Sequence, residues 1–113
     1  MTIRAEFRNG AVIEGGKVLG NIKNGVVRQG SSSYGDVLGT VKNGIEIREG
    51  KSSYGSVIAT VKDGVIKRGY SSIGKVKNGV VQVGGQEFII KGMEREYDAD
   101  IVAACHFLLK KCL

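Results

Sequence analysis

The sequence predicts a mainly β protein: five repeated antiparallel β-hairpins arranged around a common axis, with one C-terminal amphipathic α-helix packed against them. Three observations carry this expectation. Asn-Gly or Asp-Gly pairs recur at 9–10, 24–25, 43–44, 63–64 and 78–79. Short runs rich in Val and Ile flank each pair, as in GNIK-NG-VVR and ATVK-DG-VIKR. From Met93 onward glycine disappears, and apolar residues fall at helical spacing.

The first hairpin takes its leading strand from IRAEFR. An Asn-Gly pair between β-type runs signals a two-residue type I′ turn, because both central residues need positive φ and the turn's twist matches that of the strands. The same reading applies to each later pair, and the last hairpin runs out into GGQEFIIKG. The spacing of the turn glycines is 15, 19, 20 and 15 residues, so the unit comes in a short and a longer version. Repetition at this period points to units that cannot bury a core alone.

A second punctuation separates the hairpins at Gly15-Gly16, Gly30, Gly50, Gly69 and Gly84-Gly85. In the longer units the connection is QGSSSYG or EGKSSYG, which places Tyr34 and Tyr54 at equivalent points; in the shorter ones it contracts to GGK or GYSS. Serine and glycine suit such surface turns. Each incoming strand also carries a small residue, Gly20, Gly39, Ala59 or Gly74. Glycine weakens a strand interior, so its recurrence implies a bulge or a close backbone approach.

Beyond the repeats, Tyr97, Ile101, Ala104, Cys105, Leu108 and Cys112 form an apolar stripe, widened by Val102 and Leu109. The pattern predicts one helix of about four turns. Asp98 or Asp100 is expected to cap its start, and Lys110 and Lys111 complement the dipole at its end. The stripe needs a cover, supplied by the β assembly or by a second copy of the chain.

Size and composition agree with a single domain over 1–113, divided into repeats at 1–92 and the helix at 93–113. A chain of 113 residues has room for one core, and 42% hydrophobic against 25% charged residues argues for a folded one. No run approaches the ~20 apolar residues of a membrane span. The expected location is cytoplasmic, with reduced thiols: Cys105 and Cys112 lie seven apart on the helix, roughly 10 Å of rise, too far for a disulfide.

The phrase SYG-x-V-I/L-x-T-V-K-[ND]-G, with its shorter form G-x-V/I-K-[ND]-G, resembles the five-fold β-flower proteins of bacteria over roughly residues 3–92. The four-fold β-flower group is the near alternative. The resemblance implies a radial array of hairpins of unassigned biochemical role, outside which the C-terminal helix lies, and it brings no functional residues with it.

Candidate chemistry is sparse. Gly50-Lys51-Ser52 ends like a phosphate loop, but five residues separate it from Gly44 where that motif has four, and a strand follows where a helix should. Cys105 and His106, adjacent on a helix, point roughly 100° apart, which leaves a thiol enzyme using Cys105 as a remote reading. With Cys112 they give too few ligands for zinc, so neither metal nor cofactor is expected. Near-identical units supply the same residue types repeatedly, whereas catalysis needs different types to converge. The expectation is therefore a non-enzymatic binding or interaction module for a protein or small ligand, with Tyr34, Tyr54, Ser32, Ser52 and Tyr70 as candidate contacts. The alternative is nonspecific nucleic-acid or anion binding through Lys23, Lys42, Lys62 and Lys77, each one residue before a turn. The excess charge lies in the repeats, where fourteen Lys and Arg face seven Asp and Glu over 1–92.

Overall fold

A computed structural model describes residues 2–32, 34–51, 55–94 and 96–113. Its strands are β1 Thr2–Arg8, β2 Ala11–Glu14, β3 Lys17–Lys23, β4 Val26–Gln29, β5 Val37–Lys42, β6 Glu46–Glu49, β7 Val57–Lys62, β8 Val65–Arg68, β9 Ser71–Lys77, β10 Val80–Val83 and β11 Gln86–Lys91. Consecutive strands pair antiparallel, and β11 returns to β1 to close a barrel. Eleven is odd, so in a continuous meander the first and last strands run the same way. The closure is accordingly parallel, with Arg4 opposite Ile89 and Ala5 opposite Ile90.

Turn chemistry behaves as the dipeptides require. Both residues of every [ND]-G pair have positive φ, from 52° at Asn9 to 84° at Gly10. One turn departs from the two-residue expectation: Asn43, Gly44 and Ile45 form a three-residue connection, with Lys42 opposite Glu46. The cause is register. Val12, Val27, Ile66 and Val81 follow their turn glycines by two residues and face inward, fully buried, but Ile47 follows Gly44 by three. Because side chains alternate faces along a strand, the turn must absorb Ile45 to keep Ile47 in the core.

The turns are stitched together around the rim. The Gly10 carbonyl accepts the Ile22 N–H at 2.9 Å, Gly25 that of Val41 at 2.6 Å, Gly64 that of Val76 at 2.8 Å and Gly79 that of Ile90 at 3.3 Å. In the third unit Ile45 takes the glycine's place, accepting the Val61 N–H at 2.9 Å.

Both readings of the recurrent small residue hold. The register shifts by one between Val12 and Ile13, Val27 and Arg28, Ile47 and Arg48, and Ile66 and Lys67, leaving Leu19, Leu38, Ile58 and Ile73 as bulge residues before Gly20, Gly39, Ala59 and Gly74. The close approach is made partly by the helix: a Cβ on Gly39 would collide with the Phe107 ring, and one on Gly20 with Leu108.

The helix is shorter and more enclosed than its stripe suggested. It runs over α1, Asp98–Ala104, and widens into a π-helical turn over Cys105–Leu109, where the Lys110 N–H reaches the Cys105 carbonyl at 2.9 Å. Neither Asp98 nor Asp100 caps it, since Tyr97 holds the N-cap position without a side-chain bond. Ala99 and every residue from Ile101 to Cys105 are buried on all sides, in one core with Val12, Val27, Ile47, Ile66, Val81 and Phe88. A helix apolar all round belongs inside a protein, and alanines 99, 103 and 104 let β5, β6, β7 and β9 approach it from several directions. At ~25 cal/mol per Å², each fully buried Val or Ile contributes about 1.5–3 kcal/mol. Of the stripe, Ile101, Val102, Ala104 and Cys105 are covered by the chain's own strands, whereas Tyr97 is exposed.

Candidate functional site

The two long connections are built alike. Arg28 in β4 donates from Nη1 to the Gly35 carbonyl at 2.9 Å, and Arg48 in β6 donates to the Gly55 carbonyl at 2.8 Å. Backbone bonds repeat with them: Gln29 N–H to the Asp36 carbonyl at 2.9 Å and Glu49 N–H to the Ser56 carbonyl at 3.0 Å. The first loop has a further clamp, as Asn21 Nδ2 donates to the carbonyls of Gly30 and Ser32 at 3.2 and 3.1 Å. Charge-assisted bonds of this kind hold a loop in one shape. Sequence reasoning missed both arginines, although a signal exists: only the two long units carry Arg there, where the others have Ile13, Lys67 and Gln82.

On that frame Tyr34 projects into solvent, 94% exposed, and its backbone N–H donates to the Ser32 Oγ at 3.0 Å. A tyrosine closing the loop onto the next hairpin would be covered. Ser52 and Tyr54 lie outside the described residues. Tyr70, also fully exposed, sits with Gly69 in the tight turn between β8 and β9, at the same rim but without the long loop's arginine clamp.

The lysines occupy the opposite rim, beside the [ND]-G turns. Lys23, Lys62 and Lys77 are exposed, whereas Lys42 is half-buried and engaged in an interaction of its own. The start of the helical segment shares this rim: Gly44 lies against the Tyr97 ring and Gly79 against Glu94. Glu94 accepts the Gly92 N–H at 3.0 Å, and backbone hydrogen bonding lowers its carboxyl pKa. Three of the four lysines are thus exposed on a rim that also carries the Glu94 carboxylate.

Around Cys105 the chemistry is closed. Burial pushes its thiol well above the ordinary range and lifts Cys112 to about 11. Such thiols stay protonated and poorly nucleophilic at neutral pH. His106 offers no base, because its Nδ1 already accepts the N–H groups of Cys112 and Leu113 at 3.1 Å each. Burial holds its pKa below the ordinary value. No helix is long and apolar enough to cross a membrane among the described residues.

A family model described as 6-fold beta flower protein matches residues 4–104. The comparisons with curated proteins and with solved structures return no match. Six-fold replaces the five- or four-fold arrangement that the sequence resemblance suggested, and the match reaches through α1, which the resemblance left outside. The uncounted unit begins at β11: Phe88-Ile89-Ile90-Lys91-Gly92 aligns with Gly74-Lys75-Val76-Lys77-Asn78, but no Asn-Gly pair marks its end and Met93 turns into the core. With its closed ring of strands and its matched span, the chain belongs to the 6-fold β-flower family.

Proposed function

We propose that the protein is a non-enzymatic binding module that presents its Ser-Tyr-Gly loops to a protein or small ligand. The supporting observation is the exposure of Tyr34 on a loop clamped by Arg28 and Asn21. A rigid aromatic on a fixed loop contributes contact area with little entropy loss on binding. Ser32 supplies a hydroxyl beside Tyr34, and the second long connection, held by Arg48 as the first is by Arg28, carries the matching Ser52 and Tyr54 of the sequence repeat. The free cysteines suit a reducing compartment, and the bacterial cytoplasm is the location we assign.

The test is a peptide and glycan array probed with the natural chain and with the Tyr34→Ala/Tyr54→Ala double variant. Loss of signal with unchanged melting supports the proposal. Unchanged binding, or a collapse of the fold, refutes it. A second reading, nucleic-acid or anion binding through the lysines, is favoured only by the exposure of Lys23, Lys62 and Lys77 on one rim. Its measure is retention on heparin, which should fall steeply with salt if several of them act together.

A further inference from the structure

The strand pairs of the repeats carry polar residues at one recurrent position. Asn21 faces Arg28, Thr40 faces Arg48, Thr60 faces Lys67 and Lys75 faces Gln82. Two residues break this rule, Ile13 on β2 and Ile89 on β11, and both flank β1. Ile13 pairs with Glu6, and Ile89 pairs with Arg4. The exceptions thus converge on the parallel seam, where the two ends of the barrel meet.

A cleft of about 640 Å³ opens along that seam, lined by Arg4, Arg8, Ile13, Ile89, Lys91 and the Gly15-Gly16 turn. This lies within the size range of small-molecule sites. Two carboxylates border it, and both have partners inside the molecule. Glu6 pairs with Arg8 at 2.8 Å, and Glu94 accepts the Gly92 N–H. Arg4 and Lys91 are exposed and make no hydrogen bond or ion pair among the described residues. Behind backbone hydrogen bonding, Lys91 lies close enough to Glu94 to lower its carboxyl pKa, so the uncommitted positive charge is that of Arg4, beside two half-buried isoleucines that the repeat pattern would have made polar.

We infer that the cleft across β11, β1 and β2 binds a small organic anion with an apolar body, Arg4 and Lys91 meeting the charge and Ile13 and Ile89 meeting the body. A guanidinium in this setting suits a carboxylate, sulfonate or phosphate. The site is distinct from the tyrosine loops, and the two are separable by experiment.

The probe is anilinonaphthalene sulfonate, an aryl anion, titrated by fluorescence into the full chain and into Arg4→Gln, Lys91→Gln, Ile89→Thr and Tyr34→Ala variants whose melting is checked first. One saturable site is expected, weakened about tenfold in each folded cleft variant, or roughly 1.4 kcal/mol, and unchanged in Tyr34→Ala. Absence of saturable binding overturns the inference, as does equal affinity in the Arg4→Gln and Lys91→Gln variants, whose positions are exposed. Loss of binding in Tyr34→Ala also overturns it, by moving the probe to the loops.

Discussion

His106 accepts the backbone N–H of Cys112 on its Nδ1 at 3.1 Å, and the same nitrogen takes the N–H of Leu113. The ring is thereby neutral with its proton on Nε2, and it folds the last residues back over the helix end. Burial and then Lys111 hold its pKa below the ordinary value of 6.5, with Glu49 opposing them. A histidine depressed in the folded state contributes stability that is complete above its unfolded pKa and is lost as pH falls through the folded one. Protection of the Cys112 and Leu113 amides, taken relative to their intrinsic exchange rates, should therefore fall as pH drops below the ordinary histidine value, and His106→Phe should abolish that pH dependence. Equal protection factors at pH 7.5 and 5 would contradict this.

Asp100 gives the opposite slope. Desolvation, and then the nearby Glu96, raise its carboxyl to about 6 from 3.8. A raised pKa contributes stability that is fully present below the unfolded value and is lost as pH climbs through the folded one. Asp100→Asn should consequently raise Tm at pH 7.5 and change it far less at pH 4. Thermal melts at both values decide the matter, and a larger gain at pH 4 would refute the assignment.

Gly39 and Phe107 interlock, since a methyl at Gly39 would enter the space of the Phe107 ring and also crowd the Arg48 carbonyl. Gly39→Ala should cost about 1–3 kcal/mol, the usual range for overpacking. In a Phe107→Leu background the same substitution should cost less. A double-mutant cycle from urea titrations measures the coupling, and strict additivity would show that the two do not meet.

Much of this architecture was legible. The Asn-Gly pairs announce their turns because few residues other than glycine and asparagine hold positive φ easily, and the small residues before each Val or Ile announce bulges and close approach. The β11 unit was hidden because Gly92 and Met93 replace the turn dipeptide, removing the one local signal that counted the others. The helix misled in a different way. Its stripe of large residues reads as amphipathic, but alanines 99 and 103 on the remaining face are as buried as the stripe, and only the closed barrel requires that. The arginine clamps at Arg28 and Arg48 and the seam cleft depend on contacts between separated segments, which periodicity does not encode. Tyr34 was visible as a candidate, but its exposure was not.

The third turn supplies a test of how register governs this fold. Deleting Ile45 leaves Lys42-Asn43-Gly44-Glu46-Ile47, which puts the inward residue two after the glycine, as Val27 follows Gly25. The Gly44 carbonyl can then accept the Val61 N–H that Ile45 now takes, matching the bond that Gly25 makes to Val41. Ile45 is half-buried, so the deletion should cost only about 1 kcal/mol, less than the full burial of an isoleucine. Deleting Val26 is the contrast. That turn has no residue to spare, so the rest of β4 must slip by one, turning Val27 outward and the charged Arg28 inward. The Val26 deletion should lose cooperative unfolding while the Ile45 deletion keeps it, as followed by circular dichroism. Equal damage from both would mean that the turn, and not the inward register, limits this unit.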